Sequence, residues 1–137
     1  MDFLGGVQKG IYPPLTIEQM SCLFHSLGRL LQIPTNDMRQ TICDYLASNK
    51  PIMDGMETSD ILALEGPTYI ESMRKSHVWG GAIEIQAAVN LWNARVLVEN
   101  RRDRKPPIEF LPLGGAPVMT LTIYWTGGHY EPVSRTD

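Results

Sequence analysis

Three observations predict an α+β fold. Apolar residues recur at helical spacing before Asn93. Strict apolar/polar alternation appears over Met119 to Trp125, and a Gly127-Gly128 turn follows with a short β-prone run after it. Helices first and strands late place helices around a small, mainly antiparallel sheet.

The elements follow in order. Met1 to Pro14 contains Gly and Pro and reads as an irregular lead-in segment. Leu23, Phe24, Leu27, Leu30 and Leu31 predict an amphipathic helix over 22–32, ended by Pro34. Thr35, Asn36 and Asp37 offer capping groups for a second helix with Met38, Ile42, Tyr45 and Leu46 on one side. Between Met53 and His77 the pattern weakens, with short helices expected around Ile61–Leu64 and Tyr69–Arg74. Gly81 starts a largely apolar helix to Trp92, buried on most sides, with Glu84 placed to help its first turn. Arg95–Val98, Ile108–Leu113, Met119–Trp125 and His129–Val133 are the predicted strands, the last two joined through Thr126-Gly127-Gly128.

A length of 137 residues fits one domain, taken here as 1–137, large enough to bury a real core. Lys and Arg total 12 against 15 Asp and Glu, a net charge of -3 that argues against binding driven by phosphate neutralisation. Nucleic acid is therefore not an expected partner. No apolar run approaches the roughly 20 residues of a membrane span, and Met1 to Gly10 lacks the pattern of a secretory signal. Two cysteines, Cys22 and Cys43, suit a reducing compartment better than a disulfide scaffold. Cys22 and His25 form the only close Cys/His pair at ligand spacing, so no metal is expected.

Two places carry chemistry. Cys22 opens the first core helix, where unpaired N–H groups and the helix dipole favour a thiolate. Lowering a thiol from about 8.5 to about 6 raises its ionised fraction roughly thirtyfold at pH 7. The same N–H groups suit an acyl oxyanion. A small buried apolar residue is the competing reading of a lone cysteine. His129 follows the Gly-Gly turn, and Glu131, two positions on, leaves the same strand face. A carboxylate there holds an imidazole tautomer and stabilises the imidazolium. A surface His beside a surface Glu is the plainer alternative.

The blocks Ser21-Cys22-Leu23-Phe24-His25-Ser26-Leu27, Trp79-Gly80-Gly81 with Glu84-Ile85-Gln86-Ala87, and Gly128-His129-Tyr130-Glu131-Pro132-Val133 stand in one order along residues 16–133. Together they resemble the ovarian tumour (OTU) family of cysteine peptidases. That resemblance implies a papain-like unit that removes ubiquitin or ubiquitin-like modifiers from lysines of ubiquitinated proteins. It implies Cys22 as nucleophile, His129 as general base and Glu131 in the orienting place. Gln19, Met20 and Ser21 would form the oxyanion loop. Trp79, Gly80, Gly81, Gly128 and Tyr130 would border the substrate channel. No cofactor is required, and a monomer acting in the cytoplasm, a host cytosol for a viral or effector member, is expected.

Two features depart from the family pattern. Gln19-Met20-Ser21 replaces the usual Asp-Gly-Asn or Asp-Gly-Ser, and Met20 resists any φ > 0 geometry. Glu131 is one methylene longer than the usual Asp. The first departure motivates the alternative of an inactive ubiquitin-binding module. A viral peptidase acting on its own polyprotein is the other alternative. His25 is expected to be structural and Cys43 to fill core. Asp54, Glu57, Asp60 and Glu65 read as solvated surface. Arg101, Arg102, Arg104 and Lys105 read as a solvated loop.

Overall fold

The structure is a computed structural model that describes residues 17–137. The predicted lead-in segment 1–14 lies outside the described residues. A short helix, α1 (Ile17–Met20), is separated by Ser21 from α2 (Cys22–Leu31). Gln32 ends α2 in the left-handed conformation, φ 59, and its N–H returns to the Gly28 carbonyl. Gly28 is required here, because a Cβ would lie 2.4 Å from the Ile33 carbonyl oxygen and 2.9 Å from Met38 Cγ. The corner thus presses α3 (Thr35–Ala47) closely against α2.

Helices α4 (Thr58–Glu65) and α5 (Tyr69–Met73) are the short pieces expected in the middle region. Asp54, Glu57, Asp60 and Glu65 are all exposed, as solvated charges should be. The apolar helix α6 (Ala82–Trp92) follows, with Ala82 its single exposed residue. Glu84 is more than a dipole partner. It is 1% exposed, accepts the Gly81 N–H at 2.8 Å and accepts the Tyr69 hydroxyl at 2.6 Å. One carboxylate therefore caps α6 and ties α5 to it. Burial raises its pKa, while both hydrogen bonds oppose the shift.

Asn93, left-handed at φ 48, turns α6 into β1 (Ala94–Asn100). Strands β2 (Ile108–Phe110), β3 (Met119–Trp125) and β4 (Tyr130–Thr136) complete a sheet ordered β2-β1-β3-β4. The two outer ladders are antiparallel as expected, but the central β1–β3 pair is parallel. The cause lies in the crossover after β2. Gln86 Nε2 donates to the Leu111 carbonyl, the Leu113 N–H donates to Asn90 Oδ1, and the Val118 N–H donates to the Asn93 carbonyl at 2.8 Å. These bonds carry the chain back past the end of α6, so β3 starts beside Ala94 and runs with β1. They also end β2 at Phe110, short of the predicted Leu113.

α2 packs on β4 and α3. Leu23, Phe24, Leu27, Ile42, Val96 and Ile123 are among the core side chains, each at or below 1% exposure. Burying a side chain of this size contributes roughly 1.5–3 kcal/mol. β4 is an edge strand in which Pro132, lacking an N–H, is tolerated beside a register shift. The core thus clamps the start of α2 against the start of β4.

Candidate active site

Cys22 is the first residue of α2 and Tyr130 the first of β4. The Tyr130 N–H donates to Cys22 Sγ at 3.3 Å, across 108 positions of sequence. His129 is the neighbour of that donor, and Thr126 N–H closes its turn by donating to the His129 carbonyl at 3.0 Å. His129 Nε2 donates to Glu131 Oε1 at 2.5 Å, so the two do share one face as their spacing predicts. With Nε2 occupied by the carboxylate, Nδ1 is the ring nitrogen left for proton transfer.

A cavity of about 730 Å³ opens here. Cys22, His129 and Glu131 line it, together with Gln19 and Ser21. Thr35, Asn36, Arg39 and Ser76 line it as well. His25, expected to be structural, also lines it and is exposed.

Cys22 is only 3% exposed, and burial raises its pKa. The N–H groups of Tyr130, Leu23 and Cys22 itself pull the other way, while the Glu131 charge adds to the rise. The helix terminus supplies the expected donors, yet desolvation outweighs them and pushes the thiol pKa up instead of down. This corrects the expectation of a lowered pKa.

The segment Gln19-Met20-Ser21 is also different from an open loop. Gln19 and Met20 end α1, and among the described residues Met20 is not one with positive φ. No glycine is needed where the backbone is helical. Ser21 stands at the N-cap of α2, but its hydroxyl makes no capping bond. It donates instead to the Ser76 carbonyl at 2.9 Å and accepts from Arg39 at 3.0 Å.

The expected channel residues have other positions. None of Trp79, Gly80, Gly81, Gly128 or Tyr130 lines the cavity. Gly80 faces the core: a Cβ there would sit 2.8 Å from Leu23 and 2.9 Å from Phe24. Its lack of a side chain serves helix packing. Gly81 is the N-cap of α6, and Trp79 packs half-buried against the core. Tyr130 buries its ring, 1% exposed, and offers the thiol its backbone alone. Gly128 has open space around it, at the rim of the histidine turn.

Arg39 escaped sequence reasoning. It is 1% exposed, and its guanidinium donates to the carbonyls of Met73 and Val78, each at 2.8 Å, and of Ser76 at 3.2 Å. The group also lies 4.2 Å from the centre of the Phe24 ring. Its signal was available: Arg39, Ile42, Cys43 and Leu46 share one helical stripe, and the last three are apolar.

A buried thiol at a helix start, sharing one cavity with a carboxylate-held imidazole on the turn before a strand, defines the thiol-hydrolase class on an α+β fold. The sequence profile of the OTU-like cysteine protease family matches residues 17–130. The chain belongs to that family, and is a cysteine peptidase by that membership. No curated protein matches it in sequence. Among solved structures it is similar to an OTU domain in complex with ubiquitin, at 22% identity and TM-score 0.67, over 90% of this chain and 68% of that one. The OTU protease of Dera Ghazi Khan virus gives 18% identity and TM-score 0.61, over 87% of this chain and 77% of that one. The Hazara virus OTU bound to ubiquitin gives 15% and 0.57, over 99% of each chain. At such identities these structures establish the fold.

Proposed function

We propose that the protein is a deubiquitinase that hydrolyses the isopeptide bond after the C-terminal Gly of ubiquitin or a ubiquitin-like modifier. The observation that carries this reading is the convergence of Cys22, His129 and Glu131 on one cavity in a chain of the OTU family. Two relatives in that fold are held in complexes with ubiquitin.

In this reading His129 takes the Cys22 proton as the sulfur attacks the glycine carbonyl carbon. Burial disfavours a free thiolate, so deprotonation and attack are coupled. N–H groups at the start of α2 face the oxyanion. The C–N bond breaks, the lysine amine leaves with the proton from His129, and a thioester remains. His129 next takes a proton from water, whose oxygen replaces the sulfur and frees the glycine carboxylate. Glu131 holds the imidazolium through Nε2. The cytosol, where modified proteins meet reduced thiols, is the proposed place of action; both cysteines are free.

A ubiquitin carrying an electrophile at its C-terminus tests this. The expected result is a covalent adduct with the wild-type protein and none with Cys22→Ala. Tight binding without an adduct would make the chain a binding module. Cleavage of its own extended precursor, with di-ubiquitin left intact, would make it a polyprotein peptidase.

A further inference from the structure

Arg39 is a fully buried cation, and the hydrogen bonds it makes go to neutral acceptors: three backbone carbonyls, one hydroxyl and the Met73 sulfur. Burying a guanidinium is costly, and burial lowers its pKa. Its fork spans two parts of the chain. One is the stretch from Met73 to Val78, whose carbonyls wrap the charge; the other is Ser21, the residue before Cys22.

Serine at an N-cap ordinarily turns its hydroxyl onto the N–H of the second or third helical residue. In α2 those residues are Leu23 and Phe24. Ser21 does not do this: Arg39 donates to its oxygen, and its proton goes to the Ser76 carbonyl. The hydroxyl that would close the helix terminus is therefore pulled away from it. That leaves the start of α2, beside the thiol, without a side-chain cap.

We propose that Arg39 is a positioning residue for the reaction: by holding Ser21 Oγ against the Ser76 carbonyl, it keeps the start of α2 open for the thiolate and the oxyanion. This inference rests on Cys22 as nucleophile. It adds that a serine held one way permits attack, and held the other way blocks it.

The test is a pair of variants whose effects carry opposite signs. Arg39→Lys keeps the charge but loses the two-pronged reach, freeing the Ser21 hydroxyl to cap the helix. On a ubiquitin C-terminal substrate, kcat should fall at least about tenfold, with KM within about twofold. Ser21→Ala added to Arg39→Lys removes the competing cap, and should recover at least about a third of the lost rate. A brace that merely stabilises the fold gives the reverse, a second loss on top of the first. Further decline in the double variant, no recovery, or a wild-type kcat in Arg39→Lys overturns the proposal.

Alkylation of Cys22 by iodoacetamide against pH gives the same question without ubiquitin. The thiol pKa should rise in Arg39→Lys and return in the double variant. If the wild type fails to cleave ubiquitin yet shows this pattern, the substrate reading fails and the positioning role stands. Should Arg39→Lys not fold, the Phe24 amide of the wild type decides by NMR. A temperature coefficient of a free N–H supports the open terminus, and that of a hydrogen-bonded one overturns it.

Discussion

The two halves of the catalytic pair are held in opposite ways. Cys22 sits at the end of a helix whose next residues, Leu23 and Phe24, are buried, and the chain behind it is fixed by the buried Arg39. His129 sits on a surface turn, its side chain 38% exposed and that of Glu131 41% exposed. The turn is gripped from outside by a loop rather than from beneath by core. Arg101 N–H donates to the Trp125 carbonyl, Arg101 stacks 3.9 Å over Tyr124, and the Arg102 stem lies against Gly127. The basic cluster that reads as solvated loop is exposed, yet the Arg102 side chain braces the histidine turn and Arg101 braces the end of β3 that leads into it. A sulfur placed by packing cannot move far, so adjustment to substrate falls to the imidazole.

Substitutions on the histidine side test that contrast most directly. His129→Ala should lower kcat at least about a hundredfold while leaving the melting temperature close to wild type, because the ring contributes little buried surface. A loss under tenfold would remove it as the base. Gly127→Ala comes next. Gly127 has φ +105, and an added Cβ would lie 2.6 Å from Arg102 Cδ. The strain should cost about 1–3 kcal/mol, visible as a lowered melting temperature, and turnover should fall as the His129 turn shifts. Adding Arg102→Ala relieves the clash but not the backbone strain, so recovery should be partial. Full recovery would show that the dihedral angle is unimportant.

Much of this arrangement was legible in the sequence. The periodicity of Leu23, Phe24, Leu27, Leu30 and Leu31 gave α2 nearly to the residue, and the alternation over Met119–Trp125 gave β3. The helix start at Cys22 and the Gly-Gly turn before His129 are local features that a sequence displays, but it was the family resemblance of three blocks that singled the two residues out. What was not legible is relational. Strand periodicity says which face is buried but not which neighbour is paired, so the parallel β1–β3 ladder stayed hidden in Gln86, Asn90 and Asn93, polar residues that hold the crossover. The direction of the Cys22 shift depended on how much water the core excludes, and no spacing reports that. Gly80 read as a channel residue because its motif places glycines near a substrate, whereas its contact is with Leu23 and Phe24.

Glu131 joins the two halves, and its removal should move them in opposite directions. Its carboxylate accepts the His129 Nε2–H, and its charge adds to the raised pKa of Cys22. Glu131→Gln removes that charge. The imidazolium loses its ionic partner, so turnover should fall, but well under the hundredfold expected of His129→Ala, since water can reach the exposed ring. The thiol loses a nearby negative charge that opposed its ionisation, so its pKa should move down while still held high by burial. Alkylation of Cys22 at mildly alkaline pH should therefore quicken as turnover slows. Alkylation and turnover falling together would place the influence of Glu131 in the fold of β4 instead of its charge.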